Sequence, residues 1–369
     1  ANVSSTATYG GSAAGIQACS TSNPLNSFTG CINSGTIIAS GADSHAAGIA
    51  NGARKIENCQ NSGAISAVSH ACGIGNGVNI EKCSNTGFVN GGVAAGIATG
   101  YVLRISFCSN TGAIEATAGG VSAKRAYGIF AATNTIKCTI KYSFSYVAGK
   151  DIALAPNTLA KGKVTNSYYL ASSATAVSSA GEYATLADFA SGKVAWGVDG
   201  GTAAHANYWT QDTRRGQNQM PAGPGRAYPK PIEDPNTEFS VYRALVQYGT
   251  GGTVSLEANS HSSENQENAV YGMKGTSVTV TATPKDDTFG LKSLTLDLMG
   301  TGSTTALESG DGFTLGEANA LVVAAFASTG SGGSGGGTGG NGGDGDGSGT
   351  DTGDGAGDED DEGLQDGLN

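Results

Sequence analysis

The sequence predicts an all-β chain whose first half winds into a parallel β-solenoid, or β-helix. Three observations carry that expectation: a five-residue phrase recurring along residues 9–170, a Gly-Ile phrase interleaved with it, and 60 glycines against only 8 prolines. Glycine is far above its usual share of about 7%, and no G-x-y period is present that would signal collagen. Tightly turned, repetitive β structure is what remains.

The five-residue phrase is Cys-x-Asn-Ser/Thr-Gly. It begins at Cys31, Cys59, Cys83 and Cys108, with a degenerate version at Cys138, so the steps are 28 (31 to 59), 24 (59 to 83), 25 (83 to 108) and 30 (108 to 138). An apolar residue precedes each phrase (Phe28, Ile56, Ile80, Ile105, Ile136) and a β-branched one follows its glycine (Ile37, Ile65, Val89, Ile114). Gly15-Ile16, Gly48-Ile49, Gly73-Ile74, Gly96-Ile97 and Gly128-Ile129 fall between phrases. Three apolar columns and three short β-prone pieces per unit predict one triangular coil. A single coil cannot bury its own apolar points. Stacked coils bring Ile onto Ile and Cys onto Cys about 4.8 Å apart. The asparagines are then expected to form an amide ladder, and the glycine two residues after each is expected to supply a left-handed corner. In the first unit Ile16 and Cys31 are farther apart than in later units, which predicts an extra loop or capping coil.

These phrases resemble the GLUG-type repeats of bacterial surface proteins, in which I-x-x-C/S-x-N-S/T-G alternates with A-x-G-I along a β-helix. The resemblance covers residues 9–170, and the segment from Val164 to Leu170 reads as a last coil with Ser167 in the Cys position. It implies an exported, cell-surface or secreted protein of a bacterium, Gram-positive in kind. GLUG-type repeats also accompany some zinc peptidases, but no H-E-x-x-H motif occurs here.

The cysteines read as packing groups. Five of seven are expected on the repeat column, with Cys19 and Cys72 off it, and Cys72 stands where other units place Ala47 or Ala95. In-register stacking keeps Cβ atoms wider apart than a disulfide wants, so buried free thiols are expected. A metal or iron–sulfur centre needs converging thiolates, and no C-x-x-C is present. Two outward columns invite chemistry. His45 and His70 should stack in adjacent coils, in a column continued by Ser12, Val93 and Arg125, with no third ligand for a metal. Glu57 and Glu81 should also stack, beside Thr29, Ser106 and Lys137; a glycosidase pair would instead face across a cleft. No catalytic, cofactor-binding or metal-binding residue is assigned, and no cofactor is expected.

Residues 171–237 predict a connector that caps the solenoid end. Thr185 to Asp188 forms a capping box opening a short helix that Gly192 should end. The phrases Ala190-Ser191-Gly192-Lys193-Val194-Ala195 and Trp209-Thr210-Gln211 resemble the connector found after GLUG-type arrays. Residues 238–327 alternate apolar and polar in Val254-Ser255-Leu256, Ser277 to Ala282 and Leu294-Thr295-Leu296, predicting a small β-sandwich or β-grasp-like domain. Its phrases, among them Gly251-Gly252-Thr253-Val254 and Val322-Val323-Ala324-Ala325-Phe326, resemble the divergent surface repeats related to internalin-type B repeats. Residues 328–369 are Gly/Ser-rich and then acidic, a disordered linker by composition. Asp344 to Gly349 imitates a calcium loop, but Gly355 stands where the bidentate Glu is needed.

Charge narrows the partners. The net charge of −11 comes almost wholly from the ten acids after Thr329; the rest carries 31 − 10 = 21 acids against 20 bases. A near-neutral body offers no footprint for nucleic acid. No run of about 18 apolar residues predicts a membrane span, and the start at Ala1 fits a processed terminus or an excised segment. The expected function is a non-catalytic, adhesin-like or stalk module binding a surface glycan or protein. The alternatives are a carbohydrate-active β-helix using Glu57 and Glu81, and a purely structural spacer.

Overall fold

The computed structural model describes residues 3–5, 11–18, 26–117, 124–131, 138–159, 163–177, 179–200, 208–211, 228–231, 240–258, 269–316 and 318–329. All of them belong to one compact unit, Ala1–Gly330. Cys19, the extra loop expected before Cys31, Ile136, Lys137, the calcium-like segment 344–349 and the acidic tail lie outside them.

The chain is mostly β, and up to residue 184 its sheets are parallel, in the manner of a solenoid. Successive repeat units add successive strands to each of four sheets. One holds Ile37–Ala39, Ile65–Ala67, Val89–Asn90 and Ile114–Glu115; the next holds His45–Ala47, His70–Cys72, Val93–Ala95 and Arg125–Tyr127. The third stacks Ala50–Glu57, Gly75–Glu81, Arg104–Ser106 and Thr139–Lys141, and the fourth stacks Gln60–Asn61, Ser84–Asn85, Ser109–Asn110 and Phe144–Ser145.

Four β pieces per unit replace the three expected, and the reason is local. The phrase Ile-x-x-Cys-x-Asn is broken by a left-handed residue just before the Cys: Gly30, Asn58, Lys82, Phe107, Tyr142 and Asn166 all have φ between 48° and 68°. This corner turns the chain from the third sheet into the fourth. The glycines after the ladder asparagines are therefore not the left-handed corner. They are needed because neighbouring backbones touch there. A Cβ on Gly87 would lie 2.1 Å from the Gly63 carbonyl oxygen; the glycines of the Gly-Ile phrase are as tightly placed, and a Cβ on Gly73 would lie 2.2 Å from the Gly96 oxygen and 2.3 Å from Cγ of Asn85.

The same corner corrects the fifth phrase. Ile140, not Ile136, pairs with Ile105, and the amide of Cys108 donates to Ser143 Oγ at 3.1 Å. Ser143 thus takes the Cys position and Ser145 the Asn position, opposite Asn110. Four cysteines occupy the column, not five. Cys138 lies buried before the strand, shifted out of register by the longer loop of that unit.

The predicted amide ladder is present. Asn33 Nδ2 donates to Asn61 Oδ1 at 2.6 Å, Asn61 to Asn85 at 2.7 Å and Asn85 to Asn110 at 2.7 Å. Each Nδ2 also donates to the carbonyl of the glycine two residues on, as Asn85 does to Gly87 at 2.9 Å. These amides are buried, so every bond is made in a medium where losing it leaves a polar group bare. Alongside run the columns Ile49, Ile74, Ile97, Ile129 and Ile56, Ile80, Ile105, Ile140, all fully buried, each side chain stabilising by about 2–3 kcal/mol.

The connector begins as a seventh strand, Glu182–Ala184, on the end of the fourth sheet. Thr185 then caps the helix Leu186–Ser191: its Oγ1 accepts from the Asp188 amide at 3.1 Å while Asp188 Oδ2 accepts from the Thr185 amide at 2.8 Å, and Gly192 ends the helix at φ 91°. A second helix, Lys193–Val198, follows. The connector does more than cover an end. Phe189, Val194, Val198 and Trp209 pack with Phe144, whose place in the strand is one that earlier coils turn outward, so it lies along the flank of the fourth sheet. From Val241–Tyr248 onward the sheets are mainly antiparallel. The first strand pairs parallel with the last, Ala320–Ser328, inside a five-stranded sheet, and a three-stranded sheet containing Gly252–Ala258 and Ser277–Pro284 closes a shared core.

Asn85→Ala removes two ladder bonds and the Gly87 contact at once. It is expected to lower stability by about 2–4 kcal/mol in urea unfolding, and Gly73→Ala to lower it further through backbone overlap. An Asn85→Ala protein with an unchanged urea midpoint would show that the ladder is ornamental.

Candidate functional site

Stacking consumes the inward residues, so chemistry is left to the outward columns and to the junction beyond the repeats. The His column is as predicted: Ser12, His45, His70, Val93 and Arg125 pair in register. The two imidazoles stack at 4.7 Å between ring centroids, 5° from parallel, and Ser69 Oγ lies 2.8 Å from His70 Nδ1. Burial, and then the neighbouring His45, push His70 down from its usual 6.5 to about 4; burial also lowers His45, against the opposing pull of Asp43. Among the described residues no three His, Cys, Asp or Glu converge to hold a metal ion.

Glu57 and Glu81 are also in register, between Thr29 and Ser106. The column continues to Lys141, not Lys137, for the same register reason that displaces Cys138. Lys55 lies between the two acids, its Nζ 2.9 Å from Glu57 and 3.8 Å from Glu81. The carboxylates are side by side on one sheet face that also lines a shallow groove of about 480 Å³ with Arg54 and Arg104.

Six cysteines are described and all are free thiols, five of them buried and Cys31 partly exposed. Cys59 Sγ donates to the Glu57 carbonyl at 3.1 Å and accepts from the Cys31 amide at 3.4 Å, which makes the column part of the backbone network. Its thiol pKa is raised, by its contact with Cys83 and then by burial; burial lifts Cys72 to about 11, against hydrogen bonds with Thr99 that lower it, and lifts Cys138 to about 12. Thiolates are scarce in such surroundings.

A further concavity was not readable from any single stretch of sequence. It measures about 750 Å³ and lies where the connector meets the C-terminal sheets. Tyr168, Tyr183 and Trp196 come from the end of the parallel sheets and the connector, Arg243 and Tyr271 from the C-terminal strands. Asn319 ties the two sides together: its Oδ1 accepts from Trp196 Nε1 at 3.3 Å and from the Arg243 amide at 2.8 Å. The Arg243 guanidinium lies over the Trp196 ring, 3.9 Å from its centre, and Tyr271 packs against the same ring at 5.8 Å. Trp196 was a visible signal as one of only 2 tryptophans, but nothing in the sequence pairs it with Arg243.

No family model, no curated protein and no solved structure matches this chain.

Two measurements test these environments. An unfolded imidazole protonates near 6.5 and folded His70 only near 4, so the unfolded state binds more protons in that window. Stability is full above pH 6.5 and falls as pH drops toward 4. His70→Val, which copies Val93 in the same column, is expected to flatten the dependence of melting temperature on pH; an equal slope in both proteins would remove His70 as its source. Thiol titration at pH 8 is expected to modify Cys31 in the native protein before the other five described cysteines, which react only in denaturant, and rapid native labelling of Cys59 or Cys83 would contradict the buried column.

Proposed function

We propose that the parallel sheets close into a β-solenoid and that the chain is a non-catalytic, exported bacterial surface module of adhesin-like or stalk type. In this reading the connector leads into a small β-grasp-like unit, for which the parallel pairing of its first and last strands is the supporting feature. The observation that carries the functional reading is how the repeat spends its residues. Ile, Cys, Asn and Gly columns are inward and committed to stacking. The outward columns vary from coil to coil, as Ser12, His45, His70, Val93 and Arg125 do. A rigid frame with a variable surface suits recognition or spacing.

The resemblance of the repeat phrases to GLUG-type surface proteins supports export, and the near balance of charge before the acidic tail, 21 acids against 20 bases, argues against nucleic acid as partner. Against the carbohydrate-active alternative stands the Glu57–Lys55–Glu81 arrangement, since a retaining pair holds its two carboxylates about 5–5.5 Å apart across the sugar, whereas these share a cation on one face.

Antibody raised against the folded chain should label intact, unpermeabilised cells of the source organism, and external protease should remove the signal. Protection until lysis would sink the surface reading. The same protein screened for glycan hydrolysis should release no reducing ends, and release that Glu57→Gln and Glu81→Gln abolish would establish the enzymatic alternative instead.

A further inference from the structure

We propose that the cleft between the connector and the C-terminal sheets binds a saccharide carrying a carboxylate, a uronic or sialic type of sugar. The proposal rests on the reading of this chain as a binding module and names the ligand class of one site on it. Arg243 is the reason. Its Nε is buried and donates to no oxygen, and among the described residues no carboxylate pairs with its guanidinium. The guanidinium carbon instead lies 3.9 Å from the centre of the Trp196 ring, a cation–π contact at the wall of the cleft.

A guanidinium that no carboxylate neutralises matches a carboxylate ligand, since the two groups form charge-assisted hydrogen bonds. Of the three other charged residues lining the cleft, two pair with each other. Lys193 pairs with Asp188 at 3.4 Å, and Asp188 is further held by the helix cap it forms with Thr185. Glu182 is exposed at the rim, where a carboxylate accepts hydrogens from sugar hydroxyls.

The remaining wall sets four tyrosines among small residues such as Ala174, Ser179 and Gly181. Tyr183, 46% exposed, stands in register with Tyr169 on the last two strands of the fourth sheet, and Tyr168 and Tyr271 complete the surround. Aromatic rings with polar edges offer flat apolar faces to the C–H side of a pyranose and hydroxyls to its rim. The volume, about 750 Å³, falls within the range of ordinary ligand sites and takes a short oligosaccharide. An apolar ligand would leave Arg243 unpaired, and a neutral sugar would leave it equally so.

Calorimetric titration of the intact chain tests this with four probes: tetragalacturonate, its fully methyl-esterified form, sialyllactose and lactose. Binding of tetragalacturonate or sialyllactose is expected, and which of the two binds tells the source of the carboxylate. The uncharged ester or lactose should bind about tenfold more weakly or not at all. Arg243→Met, which keeps the stem on Trp196, should weaken the acidic sugar by about tenfold, and Tyr183→Ala by about threefold. Melting curves show whether each variant is folded; if Arg243→Met is not, the ester comparison and Tyr183→Ala decide. Equal affinity for acid and ester, no binding of either acidic sugar, or affinity untouched by both variants overturns the proposal. A surface protein that ignores acidic sugars leaves the surface reading standing without this site. An intracellular protein that binds them through Arg243 keeps the site and loses that reading.

Discussion

Stacking at one fixed spacing makes a demand that apolar burial alone does not meet, because Ile columns tolerate sliding and hydrogen bonds do not. In this chain the demand falls on Asn33, Asn61, Asn85 and Asn110. Asn33, Asn61 and Asn85 each donate to the amide of the next coil, Asn110 ends the ladder as an acceptor, and all four donate to the glycine carbonyl two residues on. A slip of one residue would bury an amide with no partner, at a cost of about 1–3 kcal/mol per group. The glycines follow from the same constraint. With neighbouring carbonyls about 2 Å from where a Cβ would be, Gly63, Gly87 and Gly73 are fixed by the ladder's spacing and not by backbone dihedrals. The Ile, Cys and His columns then inherit their register from the ladder.

Much of this was legible because a repeat states its own register. The Ile, Asn and Gly-Ile columns, the stacked His45 and His70, the pair Glu57 and Glu81 and the Thr185 capping box could all be placed by counting. Counting failed where side-chain identity and backbone role part company. Cys138 bears the expected residue type but sits outside the column, while Ser143, whose hydroxyl accepts the same amide bond a thiol accepts in earlier coils, stands in it. The corner was missed for a related reason. Left-handed backbone suggests glycine, yet Lys82, Phe107 and Tyr142 hold it here because sheets on either side over-determine the turn.

The candidate site was illegible for a different reason. The repeats reveal contacts between equivalent positions, and the cleft joins positions that are equivalent to nothing. Trp196 belongs to the connector, Arg243 to the first strand of the C-terminal sheet and Asn319 to the residue just before its last, and only their meeting at Asn319 Oδ1 makes a site. No local pattern encodes a geometry of that kind. What the sequence did support was the converse, that columns resembling active sites are members of surface rows.

The left-handed corner has a wider consequence. Its backbone is the same in every coil while its side chain ranges over Gly, Asn, Lys, Phe and Tyr, so the position is invariant in shape and free in chemistry. Phe107 stacks on Tyr142 at 4.9 Å, and Lys82 and Phe107 both meet Tyr208 of the connector. The segment that follows the repeats is thus gripped by a row that the core does not select. Over evolutionary time such a row lets the frame acquire or exchange a neighbouring domain by editing one residue per coil, with no compensating change inside the stack.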